Sequence, residues 1–61
     1  MLETLRVGKE YKFQFTHRKN VYGIVCDVDK GLKQFVVYDT LTKEYENIPE
    51  FRLKSFESKR K

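Results

Sequence analysis

The chain has a single cysteine, Cys26, and a single histidine, His17. One thiol excludes an internal disulfide, and one Cys with one His falls short of the four ligands of a structural zinc site. No run of about 18 apolar residues occurs, so no transmembrane helix is expected. The N-terminal Met1-Leu2-Glu3-Thr4-Leu5-Arg6 also lacks the apolar run of a signal peptide. The three glycines stand singly at positions 8, 23 and 31, which leaves no glycine-rich phosphate loop. A free thiol without a signal peptide points to the cytoplasm. Neither a cofactor nor a membrane partner is expected.

At 61 residues the chain makes one domain at most. A domain of this size buries only about 60% of the surface that its unfolded form exposes, so its stability is marginal. With no disulfide or metal to help, the five Phe and four Tyr must fill the core. The formal net charge is +4. Lys59, Arg60 and Lys61 carry most of it, and without them ten basic residues face nine acidic ones. The division expected is a single domain over residues 1–58 and a solvated, disordered basic tail over 59–61.

Short alternating segments separated by turn residues give an all-β pattern. Leu5-Arg6-Val7-Gly8 opens the domain, with Val7 packing as the chain enters and Gly8 allowing a tight turn. In residues 9–16, Tyr11, Phe13 and Phe15 alternate with Lys12, Gln14 and Thr16, the strongest period of two in the chain. His17-Arg18-Lys19-Asn20 makes a turn, with Asn20 suited to the left-handed conformation. A four-residue loop there pairs Phe15 with Tyr22, Phe13 with Ile24 and Tyr11 with Cys26 on one face. Cys26 is then a small core residue, and Val21 and Val25 lie outside the hairpin core. Gly23 marks a bend or bulge in the second strand, and Gly31 serves the next turn with positive φ.

Phe35-Val36-Val37-Tyr38 reads as a central strand, and Glu44-Tyr45-Glu46-Asn47-Ile48 as a fourth. Pro49 ends that strand, residues 49–53 fit a single 3₁₀ turn, and Lys54-Ser55-Phe56-Glu57 forms a short closing strand. The order predicts a five-stranded SH3-like or Sm-like small barrel with one 3₁₀ turn before the last strand. Closure would remove the exposed edges of so small a sheet.

Tyr38-Asp39 followed by Phe51-Arg52-Leu53-Lys54-Ser55-Phe56 resembles the end of WYL-type domains, which are Sm-like barrels of bacterial regulators. The resemblance covers about the last third of the chain. Lys54-Ser55 stand where that family has an acidic and a basic residue, and the naming Trp-Tyr-Leu triplet is missing. Small phage and plasmid proteins with SH3-like barrels end similarly. What the resemblance implies is binding of a nucleotide or single-stranded nucleic acid in control of transcription.

Catalytic chemistry finds little support. The hairpin pairing places His17 at the tip, on the order of 15–20 Å from Cys26 at about 3.3 Å per strand residue. A base that far away cannot activate a thiol. Asp27, Asp29 and Asp39 sit at strand ends and turns without metal-loop spacing, and suit local hydrogen bonding. The chain is therefore expected to be a non-enzymatic binding module. Candidate nucleic-acid contacts are Lys12, His17, Arg18, Lys19, Lys30, Lys33, Arg52 and Lys54 for phosphates and Tyr45 for base stacking. Glu44, Glu46 and Glu50 place acidic charge near Tyr45 in sequence. DNA or RNA is the first candidate partner, with the module as an accessory regulator. The alternative is a protein-interaction module, phage- or plasmid-type, using an apolar face at Val21, Val25 and Leu41 or self-association through strand edges.

Overall fold

A computed structural model describes residues 2–59. A 3₁₀ turn (Leu2–Thr4) precedes β1 (Glu10–Phe15), β2 (Val21–Asp29), β3 (Gln34–Asp39) and β4 (Glu44–Pro49). A second 3₁₀ turn (Glu50–Arg52) then leads into β5 (Leu53–Ser58). The protein is all-β: one five-stranded antiparallel sheet in the order β4-β3-β2-β1-β5. The strands and the 3₁₀ turn before the last one fall where alternation and Pro49 predict them.

The expected closure is not present. β4 and β5 end the sheet on opposite sides, and no ladder joins them. The sheet instead curls around its own inner face. Phe13 of β1 and Phe35 of β3 meet with ring centroids 5.4 Å apart although β2 lies between their strands. Tyr11, Phe13, Phe15, Val21, Val25, Phe35, Val37, Ile48 and Leu53 share one core with Leu2 and Leu5. The edge of Phe56 also packs against Tyr11, with centroids 5.3 Å apart. Val7, expected to pack, is exposed, and Leu2 in the first 3₁₀ turn and Leu5 just after it are buried in its place. Inside, the Tyr11 hydroxyl accepts a hydrogen bond from the Arg6 N–H at 3.0 Å.

The hairpin register differs from the expected one by three residues. Phe13 stands opposite Val21, Lys12 opposite Tyr22 and Tyr11 opposite Gly23. An odd shift reverses the faces of β2. Val21 and Val25 are buried, at 5% and 1% exposure, while Cys26 is exposed. Cys26 is therefore not a core residue, and Val21 and Val25 offer no outer apolar face. The cause lies between β2 and β3. A Cβ on Gly23 would come within 2.3 Å of the Val37 Cγ1 and 2.6 Å of the Tyr38 carbonyl oxygen. Only a residue without a side chain fits inward at that point. The expected register would instead turn Tyr22 and Ile24 inward around it.

The bulge that Gly23 was expected to mark sits further along. Cys26 is the extra residue between the Val25–Val37 and Asp27–Val36 pairs, and an extra residue bends the strand and increases its twist. Lys54 plays the same part in β5, between the Gln14–Ser55 and Phe15–Leu53 pairs. Gly8, expected at a tight turn, takes positive φ, whereas Asn20 and Gly31, expected in the left-handed region, do not; the left-handed residues of the later turns are Lys33 and Lys43.

Gly23→Ala is expected to destabilise the domain by about 1–3 kcal/mol, the usual cost of overpacking, with a Tm fall of roughly 5–20 °C; thermal unfolding followed by circular dichroism checks it. The Cys26 thiol is expected to react with a thiol reagent in the native protein at close to its unfolded-state rate. Labelling that waits for denaturant would contradict the register described here.

Candidate nucleic-acid interface

The curl brings the tip of the β1–β2 hairpin against β4, the far edge of the sheet. There the seam is bridged by side chains. The Arg18 guanidinium makes a two-pronged ion pair with the Glu46 carboxylate, the second contact at 3.3 Å. These hydrogen bonds hold the Arg18 pKa above its ordinary value. The same guanidinium covers the Phe15 ring at 5.2 Å, which roofs the core at this point.

Beside the pair lies a cleft of about 240 Å³ lined by Phe15, His17, Arg18, Glu46, Asn47, Ile48, Pro49 and Arg52. Arg52 arrives from the second 3₁₀ turn, whose position is fixed by the Thr16 N–H bonding the Arg52 carbonyl at 3.4 Å. Its Nη1 lies 2.6 Å from Nε2 of His17. Guanidinium has only donors, so the imidazole nitrogen accepts. Three of the expected contacts, His17, Arg18 and Arg52, thus converge from two separate segments. Arg18 is neutralised by Glu46, whereas among the described residues Arg52 makes no salt bridge to an acid of the cleft. An anion entering here would meet Arg52 directly and would compete with Glu46 for Arg18.

The remaining expected contacts are dispersed. Lys19 is exposed at the hairpin tip and Lys54 is exposed in the β5 bulge. Lys12 lies on the outer face of the sheet, 3.9 Å from Glu57. Lys30 and Lys33 lie by the β2–β3 turn, where they line a shallow depression with Leu2, Glu3 and Glu50. Tyr45 is 70% exposed and packs its ring 5.0 Å from Tyr38. Lys59 is bound to the sheet, its N–H bonding the Glu10 carbonyl at 3.1 Å; Arg60 and Lys61, the rest of the expected tail, lie outside the described residues. The aspartates act in turns: Asp29 Oδ1 accepts from the Leu32 N–H, and Asp39 Oδ1 from the N–H groups of Leu41 and Thr42.

A second concavity presents two apolar residues, Leu32 and Phe51, that the sequence pattern does not mark as site residues. Leu32, Lys33, Gln34, Pro49, Glu50 and Phe51 line a groove of about 590 Å³. Leu32 is 69% exposed and Phe51 78%. Arg52 lies over the Phe51 ring at 5.2 Å, so the groove and the cationic cleft are neighbours. In the sequence Phe51 stands out only as part of the closing Phe51-Arg52-Leu53 segment, not as a binding residue.

Among the described residues, no three His, Cys, Asp or Glu side chains are grouped to hold a metal ion. Among the same residues, no helix is long and apolar enough to cross a membrane. No family model matches the chain, and comparison with curated proteins and with solved structures finds no match.

Proposed function

We propose that the chain is a non-enzymatic nucleic-acid-binding domain of SH3-like or Sm-like small-barrel type, working in the cytoplasm as an accessory regulator. The strand order β4-β3-β2-β1-β5 and the 3₁₀ turn between β4 and β5 support the fold assignment. The observation that carries the functional reading is the convergence of His17, Arg18 and Arg52 on one open cleft. A phosphate there accepts from the Arg52 guanidinium and draws Arg18 away from Glu46. His17 turns its accepting nitrogen from Arg52 or, when protonated, donates to the phosphate itself. Lys19 at the tip and Lys54 on β5, both exposed, add positive charge, whereas Lys12 is paired with Glu57. Contacts of this kind are weak individually and sensitive to salt. If each of about three contacts released a mobile ion, the log–log salt slope would be about −2 for single strands, and the Glu46 carboxylate already on Arg18 makes it shallower.

A second reading rests on the Leu32–Phe51 groove. Exposed apolar side chains flanking a concavity suit the side chain of a partner protein. Under that reading the domain modulates another protein, and Lys33 lines the groove.

Fluorescence anisotropy with short oligonucleotides at about 50 mM salt separates the two. Arg52→Glu is expected to weaken binding roughly tenfold or more, since charge-assisted hydrogen bonds are lost and a repulsive charge is added. Glu46→Gln is expected to strengthen it about threefold, because it removes the internal competitor for Arg18. No binding at this salt, or binding that high salt leaves unchanged, removes the first reading. The second requires a stoichiometric protein partner that survives nuclease treatment and is lost with Phe51→Asp, while Arg52→Glu leaves it in place.

A further inference from the structure

Strand alternation places the outer face of the sheet in two rows. Tyr45, Tyr38, Ile24 and Glu10 lie side by side on β4, β3, β2 and β1, because Tyr38 pairs with Tyr45 and Ile24 pairs with both Tyr38 and Glu10. Lys59 follows at the end of the row, its N–H on the Glu10 carbonyl. The next row holds Tyr22, Lys12 and Glu57. Tyr22 is therefore the diagonal neighbour of Tyr38, at the roughly 7–8 Å separation of such positions.

Three tyrosines thus share one face, none of them in the buried core. Their number follows from the register: had β2 kept the opposite parity, Tyr22 and Ile24 would be inside.

The acidic charge on this face is neutralised within it. Glu10 and Glu57 are held by Lys59 and Lys12 at 4.0 and 3.9 Å. Lys59 also stands over the Tyr22 ring at 5.4 Å. The basic run Lys59-Arg60-Lys61 therefore starts on the tyrosine face. Glu44 and Glu46, which flank Tyr45 in sequence, pair with Asp39 and Val37 and have the opposite parity. Glu46 is moreover committed to Arg18 in the cleft. The acidic neighbours of Tyr45 thus belong to the other side of its strand.

We infer that the outer face, built on Tyr22, Tyr38 and Tyr45, is a stacking platform for unpaired bases, so that the partner is a single strand of DNA or RNA. This rests on the nucleic-acid reading above and specifies its ligand. Duplex bases are stacked on one another and cannot lie flat on a sheet, whereas the bases of a single strand can stack on aromatic rings in succession. Asn47, two residues beyond Tyr45 on β4, lines the cleft. One strand running along that edge would place bases on the tyrosines and a phosphate at Arg52.

The test uses the whole chain, an oligothymidylate of about 15 nucleotides and a duplex of the same length, a span within the roughly 4–16 nucleotides that a small single-strand-binding β domain covers. The protein has no tryptophan, so its intrinsic emission comes from tyrosine. The expected result is preference for the single strand, with tyrosine emission quenched on binding. Tyr45→Ala is expected to weaken single-strand binding about fivefold to a hundredfold, the range measured for loss of one base–aromatic stack. Tyr45→Phe, which keeps the ring, should bind like the parent. Because Tyr45 is largely exposed, neither change threatens the fold. Preference for the duplex, or unchanged single-strand affinity in both Tyr45→Ala and Tyr22→Ala, overturns the platform. In that case a continued loss with Arg52→Glu keeps the cleft as the nucleic-acid site. If the parent binds neither probe, the nucleic-acid reading itself fails and the platform with it.

Discussion

At Gly23 the backbones of β2 and β3 approach so closely that no side chain can stand between them. This contact sets the parity of β2, and much of the molecule depends on that parity. With glycine inward, Val21 and Val25 flank it inside and the rings of Phe13 and Phe35 meet across the strand between. With glycine inward, Tyr22 and Ile24 must also point outward. One missing Cβ thus determines both the density of the core and the chemistry of the opposite surface. The core itself is a small cluster of rings and branched aliphatic side chains, in keeping with a chain that has no disulfide to rely on.

The curl produced by the two bulges then places groups that are far apart in sequence. The extra residues, Cys26 and Lys54, lie in β2 and β5. Curling carries the hairpin tip to β4 without forming a ladder, and the gap is spanned by Arg18 and Glu46. Ladder closure would have satisfied the edge groups and removed the opening. A side-chain bridge leaves a cleft in which Arg52 and His17 are accessible. The candidate anion site therefore exists because the sheet stops short of a barrel.

The strands were legible because each carries period-two alternation or a compact apolar run bounded by turn residues, and the last 3₁₀ turn because Pro49 cannot continue a ladder. The register was not. β2 is apolar on both faces, with Val21 and Val25 on one and Tyr22 and Ile24 on the other, so alternation gives no preference. Pairing large aromatics across the hairpin favours the wrong choice. The deciding contact is tertiary, between Gly23 and a strand that comes later in the chain. The cations of the cleft were visible one by one, but their convergence depends on curvature, which no local pattern encodes. The acidic residues beside Tyr45 misled for a simpler reason: neighbours in a strand occupy opposite faces. Phe51 and Leu32 lie in turns, where hydrophobic periodicity carries no information.

The seam pair has a consequence for how salt acts on this molecule. Its partners are both about two-fifths exposed, at 40% and 36% of their side-chain surface, and an exposed pair of this kind contributes only about 0–1 kcal/mol. Glu46 is therefore a tethered counterion, one that a phosphate taken up at the proposed site would have to displace. Raising ionic strength screens the phosphate from Arg18 and Arg52, but it also loosens the carboxylate that occupies Arg18 beforehand. The two effects oppose each other at a single guanidinium. Under the proposed binding, the number of mobile ions released would fall below the number of cations in contact, because one of the ions exchanged is part of the protein.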